Sequence, residues 1–259
     1  MKMTSFNLKV LACISMVSDH IGASLLNGNP WFRAPGRLAF PIFAYLIAFG
    51  FKHTKDTEMY LCRMIFFGFI SQYIYNIAQS NYLFQDLNIL LSFSLAIASL
   101  KLYEKNQNIL IIIVAMLAAE FSHLDFGFNS ILAVFLYYKA SSNRQIVLYT
   151  VIVAIASILF KVKMVILSHP GIFDIASYLQ VDPFIYVYLM AIFASPFIIA
   201  YRNSNFSQGI KAKYLFYVFY PAHLLVIAFF VKNPQYVQSI INMLKCHAKR
   251  RGYRPFGGP

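Results

Sequence analysis

KVLACISMVSDHIGASLL, residues 9–26, is an apolar run of spanning length that carries an aspartate and a histidine side by side near its far end. A transmembrane helix needs about 20 predominantly apolar residues. An ionisable side chain at mid-membrane depth costs about 2.5–3.5 kcal/mol on insertion scales, so Asp19 and His20 imply a partner or a watery cavity. A short basic start precedes the run, as in a signal peptide. No small-residue cleavage site follows it convincingly, so it reads as a retained first span.

The rest of the chain supports a membrane reading. Of 259 residues, 59% are hydrophobic and only 12% charged, with a mean hydropathy of +0.62. A soluble domain is nearer one quarter charged, because its surface must be solvated. The fold class expected is therefore all-α, a polytopic transmembrane helical bundle. The net charge of +13 gathers at segment ends, which suits anchoring against anionic lipid and argues against nucleic acid as a partner. Cys13, Cys62 and Cys246 lie far apart without metal-ligand spacing, and the first two read as small buried hydrophobes.

Candidate spans fall at 8–26, 36–52, 60–80, 87–103, 108–122, 126–140, 145–163, 184–201 and 214–232, about nine in all with a range of eight to ten. Residues 1–232 form one transmembrane domain, and 233–259 form a basic amphipathic tail; nine spans would put its cations outside, so either the count differs by one or the tail is an interfacial helix. The longest polar interruption runs from Lys161 to Pro183, with turns around a short interfacial helix.

Positive charge sets the orientation. With a cytoplasmic N-terminus, the inner side holds Lys2, Lys9, Lys52, Lys55, Arg63, Lys101, Lys105, Lys139, Arg144, Arg202, Lys211 and Lys213. The outer side holds Arg33, Arg37, Lys161 and Lys163, so the positive-inside rule favours this arrangement. It places Asp19, His20, Arg37, Glu120, His123, Asp125 and His223 in the outer half or near mid-depth. Adjacent residues on a helix point about 100° apart, so Asp19 does not readily orient His20. Arg37 is the better partner for Asp19, since a buried carboxylate needs compensating charge. That leaves His20 for Asp125, Glu120 or His223, and a histidine held by a second group is suited to general-base work. The bland readings are an interfacial His20 and a purely structural Asp19–Arg37 pair. His53, beside Lys52 and Lys55, reads as an interfacial anchor.

Several stretches resemble one family. GRLAFPIFAYLIAFGFKHT (residues 36–54) is similar to the signature of the TraX family, membrane proteins named for F-pilin acetylation. KVLACISMVSDHIGA resembles that family's opening helix, YLCRMIFFGFISQ (60–72) its third, and KYLFYVFYPAHLLVI (213–227) its last. LNILLSF (87–93) and HLDFGFNSILAVF (123–135) fit more loosely, and EFSHLDFGFNS departs from the tighter Asp-Tyr-Gly pattern expected there.

The resemblance implies a bacterial inner-membrane acetyltransferase that moves an acetyl group from acetyl-CoA to an exported acceptor, the N-terminus of a pilin subunit. It further implies His20 as the catalytic residue, with Asp19 and Arg37 beside it, His223 from the Pro-x-His of the last helix, and Asp125. The inner cations Lys52, Lys55 and Arg63 are suited to the phosphates of acetyl-CoA. Two other readings compete: a proton-coupled carrier, which also needs buried Asp, His and Arg, and a non-enzymatic scaffold for pilus assembly.

Overall fold

The computed structural model describes residues 3–79, 86–168, 185–204, 210–239 and 242–243, with the backbone alone for 168 and 210–215. Among them the chain is helical, with no strand beyond one isolated bridge between Leu87 and Leu124. Each of the nine expected spans coincides with a helix. They are α1 (Ser5–His20, extended by a wide π turn, Ile21–Leu25), α2 (Pro30–Gly36), α3 (Ala39–His53), α4 (Thr57–Ala78), α5 (Ile89–Asn106), α6 (Leu110–Phe121), α7 (Gly127–Lys139), α8 (Asn143–Ser168), a 3₁₀ segment (Ile185–Ala194) running into α9 (Ser195–Arg202), and α10 (Ile210–Lys232). Four of these stretches are long and apolar enough to cross a membrane: Ser5–Leu25, Pro30–His53, Asn143–Leu167 and Ile185–Arg202. Leu110–Phe121 and Phe216–Lys232 are shorter apolar helices.

The second span differs from its expected form. It begins at Pro30 rather than Gly36, and α2 and α3 meet at a break that holds Arg37. Pro30 occupies the first turn of α2, where its missing N–H costs nothing, and the Asn29 side chain accepts the Trp31 N–H as a cap.

Helix α3 is the axis of the bundle. It packs on α1, α5, α7 and the 3₁₀ segment, and most of its length is buried. Ala44, Ala48, Ala96, Ala119, Ala133 and Ala154 are all but inaccessible; such small residues let helix backbones approach where lipid removes the usual apolar drive. The outward faces carry Phe66, Phe69, Val114, Leu117, Leu159 and Leu225, as a lipid-facing belt requires. Cys62 corrects the reading from sequence: it lies on the outer face of α4, while Cys13 is buried.

Polar groups turn inward instead. Gln72 donates to the Asn76 side chain (2.6 Å) and the Asp86 carbonyl (2.7 Å), and accepts from the Asn88 backbone (2.9 Å) and side chain (2.7 Å). This network ties α4 to the start of α5. Leu87 then donates to the His123 carbonyl (3.0 Å), and Asp125 N–H donates back to the Leu87 carbonyl (2.8 Å). The buried links thus satisfy one another, which apolar surroundings demand. The segment 169–184, with its expected interfacial helix, and the basic residues Lys245, Lys249, Arg250, Arg251 and Arg254 lie outside the described residues.

Candidate active site

The site is assembled from α1, the α2–α3 break, the α6–α7 link and α10. Helix α1 delivers Asp19 and His20 in its last α turn, immediately before the π turn closed by the Leu26 N–H on the Ile21 carbonyl (3.1 Å). Wide turns of this kind recur at functional sites because they reset which residues share a face.

Asp19 and Arg37 form an ion pair, and Arg33 reaches the same carboxylate oxygen at 3.4 Å. The opposite side of the Arg37 guanidinium lies over the Tyr188 ring, 4.8 Å from its centroid. Arg37 is only 7% exposed, so carboxylate and ring together replace its hydration. The approach of α2 to α1 depends on Gly36, where an added Cβ would sit 2.7 Å from the Asp19 Cα.

His20 meets His223. Its Nδ1 is 2.9 Å from Nε2 of His223. The ring centroids are 5.1 Å apart and the planes within 10°. A nitrogen pair this close across that separation puts the rings edge to edge in a common plane, as an N–H···N bond requires. The other nitrogen of His223, Nδ1, is 3.0 Å from the Phe219 carbonyl. A carbonyl accepts only, so this Nδ1 carries hydrogen. In neutral rings, Nε2 of His223 then accepts from Nδ1–H of His20, and Nε2 of His20 is left with its lone pair. The chain runs from backbone carbonyl to imidazole to imidazole, and it makes His20 a base. Pro221, two residues before His223, interrupts the backbone ladder of α10 at this level.

Asp125 lies in the α6–α7 link, held by its backbone to Leu87 and by its carbonyl to the Ser92 hydroxyl (2.9 Å). Burial, with the charges of Asp19 and Asp86 adding to it, pushes its carboxyl up to about 7. The Phe126 ring behind it stacks on Phe40 of α3 at 4.0 Å. Asp19, His20, Arg37 and Asp125 line one small cavity of about 60 Å³. Among the three partners foreseen for His20, His223 holds the bond. Glu120 instead pairs with Lys163 and accepts from the Phe128 N–H.

A second cavity, about 540 Å³, lies beside the first. Lys9, His53, Lys55 and Arg63 line it together with Cys13, Tyr60 and a mostly apolar interior. The two share Met16, Phe43, Ile89, Phe93 and Tyr220, so those five residues form the neck between them. Lys55 and Arg63 are therefore brought together at this cavity, and Lys52 is not. Its ammonium lies over the Tyr138 ring at 4.9 Å, on another face of α3. His53, exposed at the end of α3, lines this cavity and is bonded to the Phe49 carbonyl (2.8 Å).

Sequence reasoning missed Arg33 as a second cation on Asp19, Tyr188 as the platform for Arg37, and Lys9 and His53 as cavity residues. Lys9 was legible in principle, since it shares α1 with His20 on the side of the membrane assigned to the cations.

No solved structure matches this chain. It is 25% identical over 243 residues to a probable fimbrial assembly protein, FimC of serogroup H1, from Dichelobacter nodosus, across 86% of this chain and 94% of that relative. The TraX protein family matches residues 5–231, from the first turn of α1 to the end of α10, and to that family this chain belongs.

Proposed function

We propose that this protein is a bacterial inner-membrane acetyltransferase that moves the acetyl group of acetyl-CoA to an exported acceptor, the N-terminal amine of a pilin subunit. The TraX resemblance and the fimbrial assembly relative support a role connected with pili. The observation that carries the chemical reading is the pair of adjoining cavities, one wide with cations along it and one narrow with an oriented imidazole.

In this reading the phosphates of the donor lie by Lys9, Lys55 and Arg63, on the cytoplasmic side assigned by charge. The pantetheine arm enters the 540 Å³ cavity, whose size is ordinary for a small-molecule site. The thioester reaches the neck. His20 Nε2 accepts the proton of the acceptor amine as its nitrogen attacks the thioester carbonyl. His223 and the Phe219 carbonyl keep the reactive lone pair on that atom. Asp19 is occupied by Arg37 and Arg33 and serves to hold the α1–α2 junction rather than the proton.

A proton transfer of this kind is typically worth 10²–10⁴-fold. Purified protein given acetyl-CoA and a peptide with a free N-terminal amine should acetylate the peptide, and His20→Ala should lower turnover by that range while remaining folded. A stable His20→Ala variant with normal transfer would overturn the assignment. Intact acetyl-CoA after incubation with the wild type and peptide would favour a carrier instead. Mass spectrometry of the pilins from cells with and without the gene identifies the acceptor.

A further inference from the structure

The neck between the cavities holds a group that the imidazole chain does not use. Tyr220 lies on α10 one turn before His223 and lines both cavities. The residue is 4% exposed, and its buried hydroxyl has no hydrogen-bond partner at bonding distance. Buried hydroxyls are satisfied in the large majority of cases, so an orphan at the junction of two cavities points to a ligand.

The start of α5 reaches the same place. The N–H of Leu90 is taken by the Asn88 side chain (3.0 Å), those of Leu91 and Ser92 by the Asn88 carbonyl (3.0 and 3.3 Å), and that of Asn88 itself by Gln72 (2.9 Å). The first-turn N–H left over is that of Ile89, a residue that lines both cavities with Tyr220. A helix N-terminus carries partial positive charge. At the neck it favours negative charge that develops there. The neighbouring His223 ring, 5.5 Å away between centroids and edge-on, is already committed to His20 and Phe219.

We infer that the Tyr220 hydroxyl is the donor that stabilises the oxyanion of the thioester carbonyl, with the N-terminus of α5 beside it. The inference rests on the acetyl-transfer reading above. As the acceptor nitrogen bonds to the carbonyl carbon, the C=O π pair moves onto oxygen, and the Tyr220 O–H donates to that developing charge. His20 Nε2 takes the N–H proton. The intermediate collapses: the C=O bond re-forms, the C–S bond breaks with its pair leaving on sulfur, and the imidazolium returns its proton to give the free thiol of CoA. The products are the acetylated amine and CoA, with both imidazoles neutral again. Tyr220 gains and loses no proton in the cycle.

Removing one oxyanion donor typically costs 10²–10³-fold in kcat. The test uses the full chain in detergent, acetyl-CoA and a synthetic peptide with a free N-terminal amine, with CoA release followed by chromatography. Tyr220→Phe should lower kcat 10²–10³-fold with the Kd for acetyl-CoA within about two-fold of wild type, and its Tm should be unchanged or higher, because a hydroxyl without a partner gives the fold nothing to lose. A kcat within about three-fold of wild type would overturn the role of Tyr220 and leave acetyl transfer standing, as would a loss of donor affinity that accounts for the whole defect. A wild-type protein that releases no CoA overturns acetyl transfer, and this inference with it. One measurement needs no variant: the infrared stretch of a ¹³C-labelled acetyl carbonyl should move to lower wavenumber when acetyl-CoA binds to the wild type, and an unshifted band would refute the hydrogen bond.

Discussion

Asp19→Asn is the substitution whose cost the structure sets most sharply. The change removes the charge that compensates Arg37, which is 7% exposed, while the Asp19 side chain itself is 19% exposed. Breaking a buried ion pair by removing one partner costs about 3–5 kcal/mol, because the other charge stays behind. Two features lower that figure here. The guanidinium keeps the face of Tyr188, worth about 0.5–2 kcal/mol, and some solvent reaches the pair. We expect a loss of about 2–3 kcal/mol, or roughly 30–150-fold in the unfolding constant. The exposed pair of Lys101 and Glu58, at 2.6 Å with side chains 43% and 77% accessible, is the internal control, and Glu58→Gln should cost less than about 1 kcal/mol. The assay is unfolding in mixed micelles, read by circular dichroism and by the single tryptophan, Trp31, which α2 carries next to the pair. Asp19→Asn combined with Arg37→Met should recover most of the loss, since the buried cation is then gone and the remaining one, Arg33, is 28% exposed. The reasoning fails if Asp19→Asn costs no more than Glu58→Gln, or if the double variant is no more stable than the single one.

Gly36→Ala should separate α1 from α2, because the new methyl meets the Asp19 backbone at 2.7 Å; a destabilisation of about 1–3 kcal/mol in the same titration is expected. Lys55→Ala and Arg63→Ala should each weaken acetyl-CoA binding in a salt-dependent way, whereas Lys52→Ala, whose ammonium lies on Tyr138 outside the cavity, should leave Kd unchanged by titration calorimetry. The Asp125 carboxyl rises from its ordinary 3.8 to about 7 in the fold, so the fold favours its neutral form. Its contribution is fully present below about pH 4 and is lost as pH rises through about 7. Thermal unfolding from pH 4 to 8 should show wild type falling relative to Asp125→Asn across that window, and parallel curves would refute the assignment.

The helices were legible because lipid imposes a long apolar period that loops cannot imitate. A helix lies in each of the nine stretches expected to span, and the partner of Asp19 followed from the cost of a bare buried carboxylate. The partner of His20 was narrowed to three because charge placed Asp125, Glu120 and His223 in one layer. Choosing among them needed the rotation of α10, which no residue count supplies. The same gap explains Lys52. Lys52 and Lys55 are three positions apart in the chain, but α3 ends at His53, so Lys55 follows the turn into the cavity while Lys52 keeps the helical direction toward α7. Tyr220 was hidden for a different reason. In a chain with 18 tyrosines and 26 phenylalanines, an aromatic ring at the membrane has an ordinary explanation, and a buried hydroxyl where two cavities adjoin is what sets this one apart.

Lys9 and His20 share α1, and their 11-residue separation corresponds to about 16 Å of rise along the helix axis. In the proposed reaction that separation divides the work. A phosphate-bearing donor needs cations and water at one end, while a thioester about to be attacked by an amine is best kept from water, which competes as a nucleophile. Two adjoining cavities with mostly apolar walls satisfy both, provided the charged residues at the reacting end do not draw in solvent or protonate the imidazoles. The structure meets that condition by pairing them. Arg37 is held by Asp19 and covered by Tyr188, and the two histidines bond to each other and to a backbone carbonyl. The Asp-His dipeptide therefore divides by charge: the aspartate neutralises an arginine at the α2–α3 break, and in the proposed reaction the histidine beside it serves as the base.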